Sequence, residues 1–122
     1  MIRLPAAVRA SALAALLGSA GGAAALADTT AANEREALYA RYHEAAELAR
    51  ICRDLAFDQA DIDRMAAVIN GKVAGDIGAK RLPLLTAAQR DARALAENPG
   101  CASAEAQELL ALYDADLAGA VD

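Results

Sequence analysis

Apolar residues recur at intervals of three and four through most of the chain, the period of helices with one buried face. In residues 34–56 they are Leu38, Tyr42, Ala45, Leu48 or Ala49, Cys52, and Leu55 or Ala56. Glu34, Arg35, Arg41, Glu44, Glu47 and Arg50 take much of the opposite side. Thr30 or Asn33 can cap this first helix, with Glu34 and Glu36 against its positive end. A stop-and-restart signal follows. Asp58 suits an N-cap, Asp61 completes an acidic capping box, and Phe57 with Ile62 makes a candidate hydrophobic staple.

The second helix places Ile62, Met65 or Ala66, Ile69, Val73 and Ile77 on one face. Gly71, Gly75 and Gly78 each weaken it by up to about 1 kcal/mol relative to alanine. Either they form a flat strip with Ala67 and Ala74 that admits a neighbour, or the helix stops near Asn70-Gly71 and restarts. The reading adopted is a weak or bent helix reaching about Gly78. The third helix opens either at Pro83 or later, at a capping box of Thr86 and Gln89. Its stripe is Leu85, Ala88, Ala92 and Leu95, and Asn98-Pro99-Gly100 ends it. Ser103 caps the fourth, whose face is Ala106, Leu109 or Leu110, Tyr113, Leu117 and Val121. β-Branched residues are scarce and nowhere alternate. The expected fold is all-α: a small, irregular four-helix bundle.

The first part of the chain has a different character. Arg3 and Arg9 precede a short apolar run, residues 10–17 (ASALAALL), and Ala25-Leu26-Ala27 has the small-x-small form of a cleavage site. Residues 1–27 therefore read as a secretory signal peptide, with earlier cuts after Ala20 or Ala25 as alternatives, and residues 28–122 as a single domain. The glycines at 18, 21 and 22 make a poor membrane span of it. No cysteine stands at the cleavage point, so a lipoprotein anchor is not expected. The expected compartment is the periplasm, with plain secretion as the alternative.

All 17 acidic residues lie beyond Ala27, against ten of the 12 basic ones, leaving that part a formal charge of −7. Such a field repels nucleic acid and anionic lipid, and neither is expected as a partner. Nor is stable membrane insertion once the signal is removed. Aromatic residues are few (Tyr39, Tyr42, Phe57, Tyr113, no tryptophan) and alanine supplies much of the apolar content, so the core should be thin. Two cysteines in an exported chain of this size imply one disulfide, Cys52–Cys101. It would staple the end of the first helix to the start of the fourth. A redox-active pair would want a C-x-x-C spacing, which is absent.

Candidate chemistry is sparse. His43, the sole histidine, lies four residues from both Tyr39 and Glu47, so the three share a helix face. With no second imidazole and no free thiol, no metal site is expected. Covalent haem lacks its C-x-x-C-H, and Met65 reads as core filler rather than a haem ligand with His43. No cofactor is expected. Asp54, Asp58, Asp61 and Asp63 form an acidic corner that does not match a calcium loop and is better explained by capping. Arg50, Arg53 and Arg64 cluster near that corner and can pair with its aspartates or hold an anion. Candidate ligand-binding residues are thus Tyr39, His43, Glu47, Arg50 and Arg53. No catalytic set is visible, and an enzyme is not expected.

A short helical chain with two well-separated cysteines is similar in general architecture to small periplasmic stress proteins such as the acid-stress chaperones of the HdeA type. Those carry a tryptophan beside the first cysteine, which Cys52 lacks, and no functional residue transfers. The functional expectation is a non-enzymatic helical module that binds a protein partner, with a stress-chaperone role as a variant. In that variant, acid would protonate the many carboxylates and loosen the fold. The alternative is a bundle that binds a small ligand or metal through the Tyr39/His43/Glu47 face or the Asp/Arg corner.

Overall fold

The computed structural model describes residues 31–122. The expected signal peptide, residues 1–27, lies outside the described residues. Four helices, α1 (31–52), α2 (Gln59–Val73), α3 (Arg81–Leu95) and α4 (Ala104–Asp116), form an all-α bundle with no strand among the described residues. Contacts gather Glu34–Asp122 into one compact unit. The Cys52 and Cys101 sulfurs are bonded across a Cα–Cα distance of 5.7 Å, joining the last turn of α1 to the approach to α4.

α1 contacts both α3 and α4. It buries Tyr39, Tyr42, Ala45, Leu48 and Ala49, a wider stripe than a single seam needs. The reason is that it is flanked on two sides. Tyr42 donates a hydrogen bond to Asp116 Oδ2 of α4 (2.5 Å), while Tyr39 lies under Arg81 of α3. Tyr39 is accordingly core, 2% exposed, and Leu38, expected to lead the stripe, is half-buried beside it. The helix closes in a Schellman-type turn, with the Leu55 N–H bonded to the Arg50 carbonyl (3.0 Å) and Asp54 left-handed at φ 52°. Aspartate takes the place glycine usually fills there, one of the few side chains that tolerate it.

The capping box at the head of α2 forms as its residues suggest. The Asp61 N–H donates to Asp58 Oδ1 (2.8 Å) and the Asp58 N–H to Asp61 Oδ2 (3.1 Å). The far end differs from expectation. α2 stops at Val73 instead of reaching Gly78, because Ala74 turns left-handed (φ 54°, ψ 41°) and bonds back to the Asn70 carbonyl (3.2 Å). Nor do the glycines make a strip for a neighbouring helix. A Cβ on Gly71 would meet nothing, whereas one on Gly75 would overlap Arg35 Cδ, so Gly75 admits the Arg35 side chain of α1. An alanine in the left-handed region carries a Cβ penalty that glycine escapes. Ala74→Gly is therefore expected to raise stability by about 0.5–1 kcal/mol, less the extra chain entropy of glycine, as measured by urea denaturation.

After a tight turn at Gly78–Lys80, α3 opens with Pro83 in its first turn, where the missing N–H has no helical partner to lose. Thr86 lies inside the helix, so the later start does not occur. Beyond Leu95 the chain passes through a distorted turn, Ala96–Gly100, in which Asn98 is extended and Gly100 left-handed at φ 108°. Ser103 then caps α4, accepting from the Ala106 N–H (3.2 Å).

The interior is lean. Five of the 17 buried apolar residues are alanine, and the largest fully buried side chains are Leu48, Ile69, Leu109 and Leu117. Polar links at the surface tie the helices further. Arg53 pairs with Asp114 (2.5 Å), Lys72 with Asp116 (3.8 Å), and Arg64 donates to the Ala120 carbonyl (2.7 Å).

Candidate functional site

α1, α2 and α3 leave a cleft of about 450 Å3 between them. Its floor is core: Tyr39 from α1 and Met65 and Ile69 from α2. Leu85 of α3, Ala46, Ala66, Phe57 and Ile62 extend the apolar lining, and the last of these remains 46% exposed at the mouth. Phe57 lies 6.3 Å from the Tyr113 ring, and with Ile62 it borders the cleft at the start of α2. His43, Glu47, Arg50, Asn70, Arg81 and Gln89 supply the polar groups.

Two polar clusters face the cleft. In the first, Tyr39 carries both His43, with ring centroids 4.5 Å apart, and the Arg81 guanidinium, 5.3 Å from its centroid. Arg81 also donates to Asn70 Oδ1 (2.9 Å) and makes no ion pair with a carboxylate among the described residues. Burial, reinforced by the Arg81 charge, lowers the His43 pKa from 6.5 to about 4. The imidazole is therefore neutral at pH 7, and no hydrogen bond occupies its nitrogens among the described residues.

The second cluster is closed on itself. Glu47, with a side chain only 11% exposed, accepts from Arg50 Nε (2.8 Å) and Arg50 Nη2 (2.9 Å), and its Oε2 also accepts from Arg93 Nη1 (3.4 Å). Both carboxylate oxygens are thus taken up by guanidinium groups. A bidentate pair of this kind fixes the geometry of both partners.

Of the residues singled out from the sequence, Tyr39, His43, Glu47 and Arg50 come together in the cleft, and Arg53 does not. Arg53 turns to α4, where two bonds to Asp114 (2.5 and 2.9 Å) raise its own pKa and hold that carboxyl below its usual range. The Asp/Arg corner is also divided. Arg64 pairs with Asp61, while Arg50 and Arg53 leave the corner for Glu47 and Asp114. No group of three metal-ligating side chains gathers among the described residues. Arg81, Asn70 and Gln89 were not recognised in the sequence as site residues, since they reach the cleft from helices whose placement no local pattern encodes. The sequence signal that bears on Arg81 is Pro83: a helix that carries this proline in its first turn can begin at Arg81, as α3 does. Searches against protein-family models, curated proteins and solved structures found no match for this chain.

Proposed function

We propose that this is a small, exported, non-enzymatic binding protein whose α1–α2–α3 cleft takes a small apolar molecule. The observation that carries this reading is the cleft itself. Its volume of about 450 Å3 falls within the roughly 300–1,000 Å3 of small-molecule sites, and its apolar floor and few convergent polar groups have their usual composition. A bundle built on so many alanines could have closed this space, yet Tyr39, Met65 and Ile69 are left lining it. Export, most simply to the periplasm, is supported by the disulfide. Among the described residues, no helix is long and apolar enough to cross a membrane. The non-enzymatic part of the reading is supported by Glu47, whose carboxylate is engaged by Arg50 and Arg93 instead of standing free as a base.

A protein partner has less behind it. The exposed large apolar side chains among the described residues are Ile62 (46%) and Leu82 (69%), and apolar residues exposed singly are ordinary on soluble proteins. Ala66 lines the cleft half-buried, so Ala66→Trp is expected to fill it. Nile red, an uncharged apolar dye that brightens in apolar surroundings, should bind the wild type and bind A66W at least about tenfold more weakly, with helical circular dichroism unchanged. Ala46→Trp fills the same space from α1 and should act alike. Equal dye binding by the wild type and both variants would overturn the reading.

A further inference from the structure

The cleft inverts the charge of the protein around it. The chain as a whole is formally −5, yet the charged side chains lining the cleft are Arg50, Arg81 and Glu47, with Arg93 behind Glu47. Two guanidinium groups thus hold the one carboxylate, and a third, Arg81, stands apart from it. Because Glu47 is already engaged by Arg50 and Arg93, it offers nothing to a ligand cation. Arg81 differs from the other two. Among the described residues its partners are the neutral Asn70 amide and the Tyr39 ring face, so most of its five N–H donors remain available. Asn70 and Tyr39 together hold the guanidinium in one place, which reduces the ordering cost of a new bidentate contact.

Resting on the ligand-binding reading above, we infer that the ligand is an amphipathic monoanion, a carboxylate on an apolar chain. Its charged end meets Arg81 beside His43, and its chain lies along Met65, Ile69 and Leu85. A single available guanidinium offers one bidentate contact and one compensating charge, which a carboxylate fills completely. The neutral His43 ring adds a hydrogen-bonding edge without a second positive charge. The exposed Ile62 at the mouth gives the apolar chain a wall that is otherwise in water.

The test uses the full mature protein at pH 7 and low salt, with three probes of one chain length competing against Nile red: decanoate, decanol and decylammonium. Decanoate should displace the dye at roughly tenfold lower concentration than decanol, the scale of one charge-assisted contact at a partly exposed site. Arg81→Gln should abolish that advantage, bringing the decanoate and decanol midpoints together, and Arg81→Lys should keep only part of it. Equal competition by decanoate and decanol, or stronger competition by decylammonium, overturns the monoanion inference and leaves the cleft reading standing. Failure of all three probes to displace bound dye, or failure of the dye itself to bind, overturns the cleft reading as well.

Discussion

Replacing both Cys52 and Cys101 with alanine is expected to cost about 4 kcal/mol of stability, from the loop-closure entropy of a bridge spanning 49 positions. For a unit of this size that is a fall in Tm of roughly 15–30 °C, read by circular dichroism at 222 nm because the chain has no tryptophan. The bridge matters more here than in most bundles because of what the core contains. Ala45, Ala49, Ala88, Ala92 and Ala106 occupy buried positions where leucine would bury far more apolar surface. Against the 5–15 kcal/mol typical of native domains, about 4 kcal/mol is a large fraction. The effect acts chiefly on the unfolded chain, in which residues 52–101, and with them all of α2 and α3, would lose their closure. Reduction of the wild type by dithiothreitol should produce a similar shift. An unchanged melting curve for the double variant would show that helix packing alone holds the bundle together.

The second large effect is acid destabilisation through His43. Burial, and secondarily the Arg81 charge, lower its pKa in the folded protein to about 4, against 6.5 when unfolded. The unfolded chain therefore binds the extra proton first as pH falls. Stability from this group is complete above pH 6.5 and is lost progressively down to about pH 4, by about 2–3 kcal/mol after allowing for the ring's partial exposure. His43→Phe keeps a ring against Tyr39 and removes the proton site. Urea denaturation at pH 7, 5.5 and 4 should show H43F losing that much less than wild type. Two carboxyls also titrate in acid, and both are common to wild type and H43F. Asp114, held below its ordinary 3.8 by Arg53, releases its contribution only at lower pH. Glu44, raised by burial and by Asp91 and Glu105, acts in the opposite sense and stabilises the fold as it protonates. Parallel pH profiles for wild type and H43F would remove His43 as the acid-sensitive group. A difference confined to pH 4–6.5 would give the stress-chaperone variant its trigger, in a single imidazole instead of the bulk of the carboxylates.

Local chemistry was the legible part of this protein. Helix period, the Asp58/Asp61 box, the Ser103 cap and the Asn98-Pro99-Gly100 stop all depend on residues within a few positions of one another, so the linear pattern carries them. The pairing of Cys52 with Cys101 followed from there being no other cysteine. Tyr39, His43 and Glu47 could be grouped because i and i+4 on one helix share a face whatever the helix packs against, whereas Arg50 reads from the sequence as part of the Asp/Arg corner and joins them only in the folded cleft. The end of α2 was misplaced because its stop depends on an alanine turning left-handed, a conformation with no sequence signature at that residue.

What only the folded arrangement decided is which partner each charged side chain takes. Arg53 goes to Asp114, 61 positions away, instead of to the nearby acidic corner, and Arg93 goes to Glu47, 46 positions away. Arg81 and Asn70 face a cleft that exists because three helices meet without closing. The composition of each helix is settled along the chain, by a period of 3.6 and a few capping side chains. The gap between helices is settled by the volumes that meet across it, and no single segment contains that information.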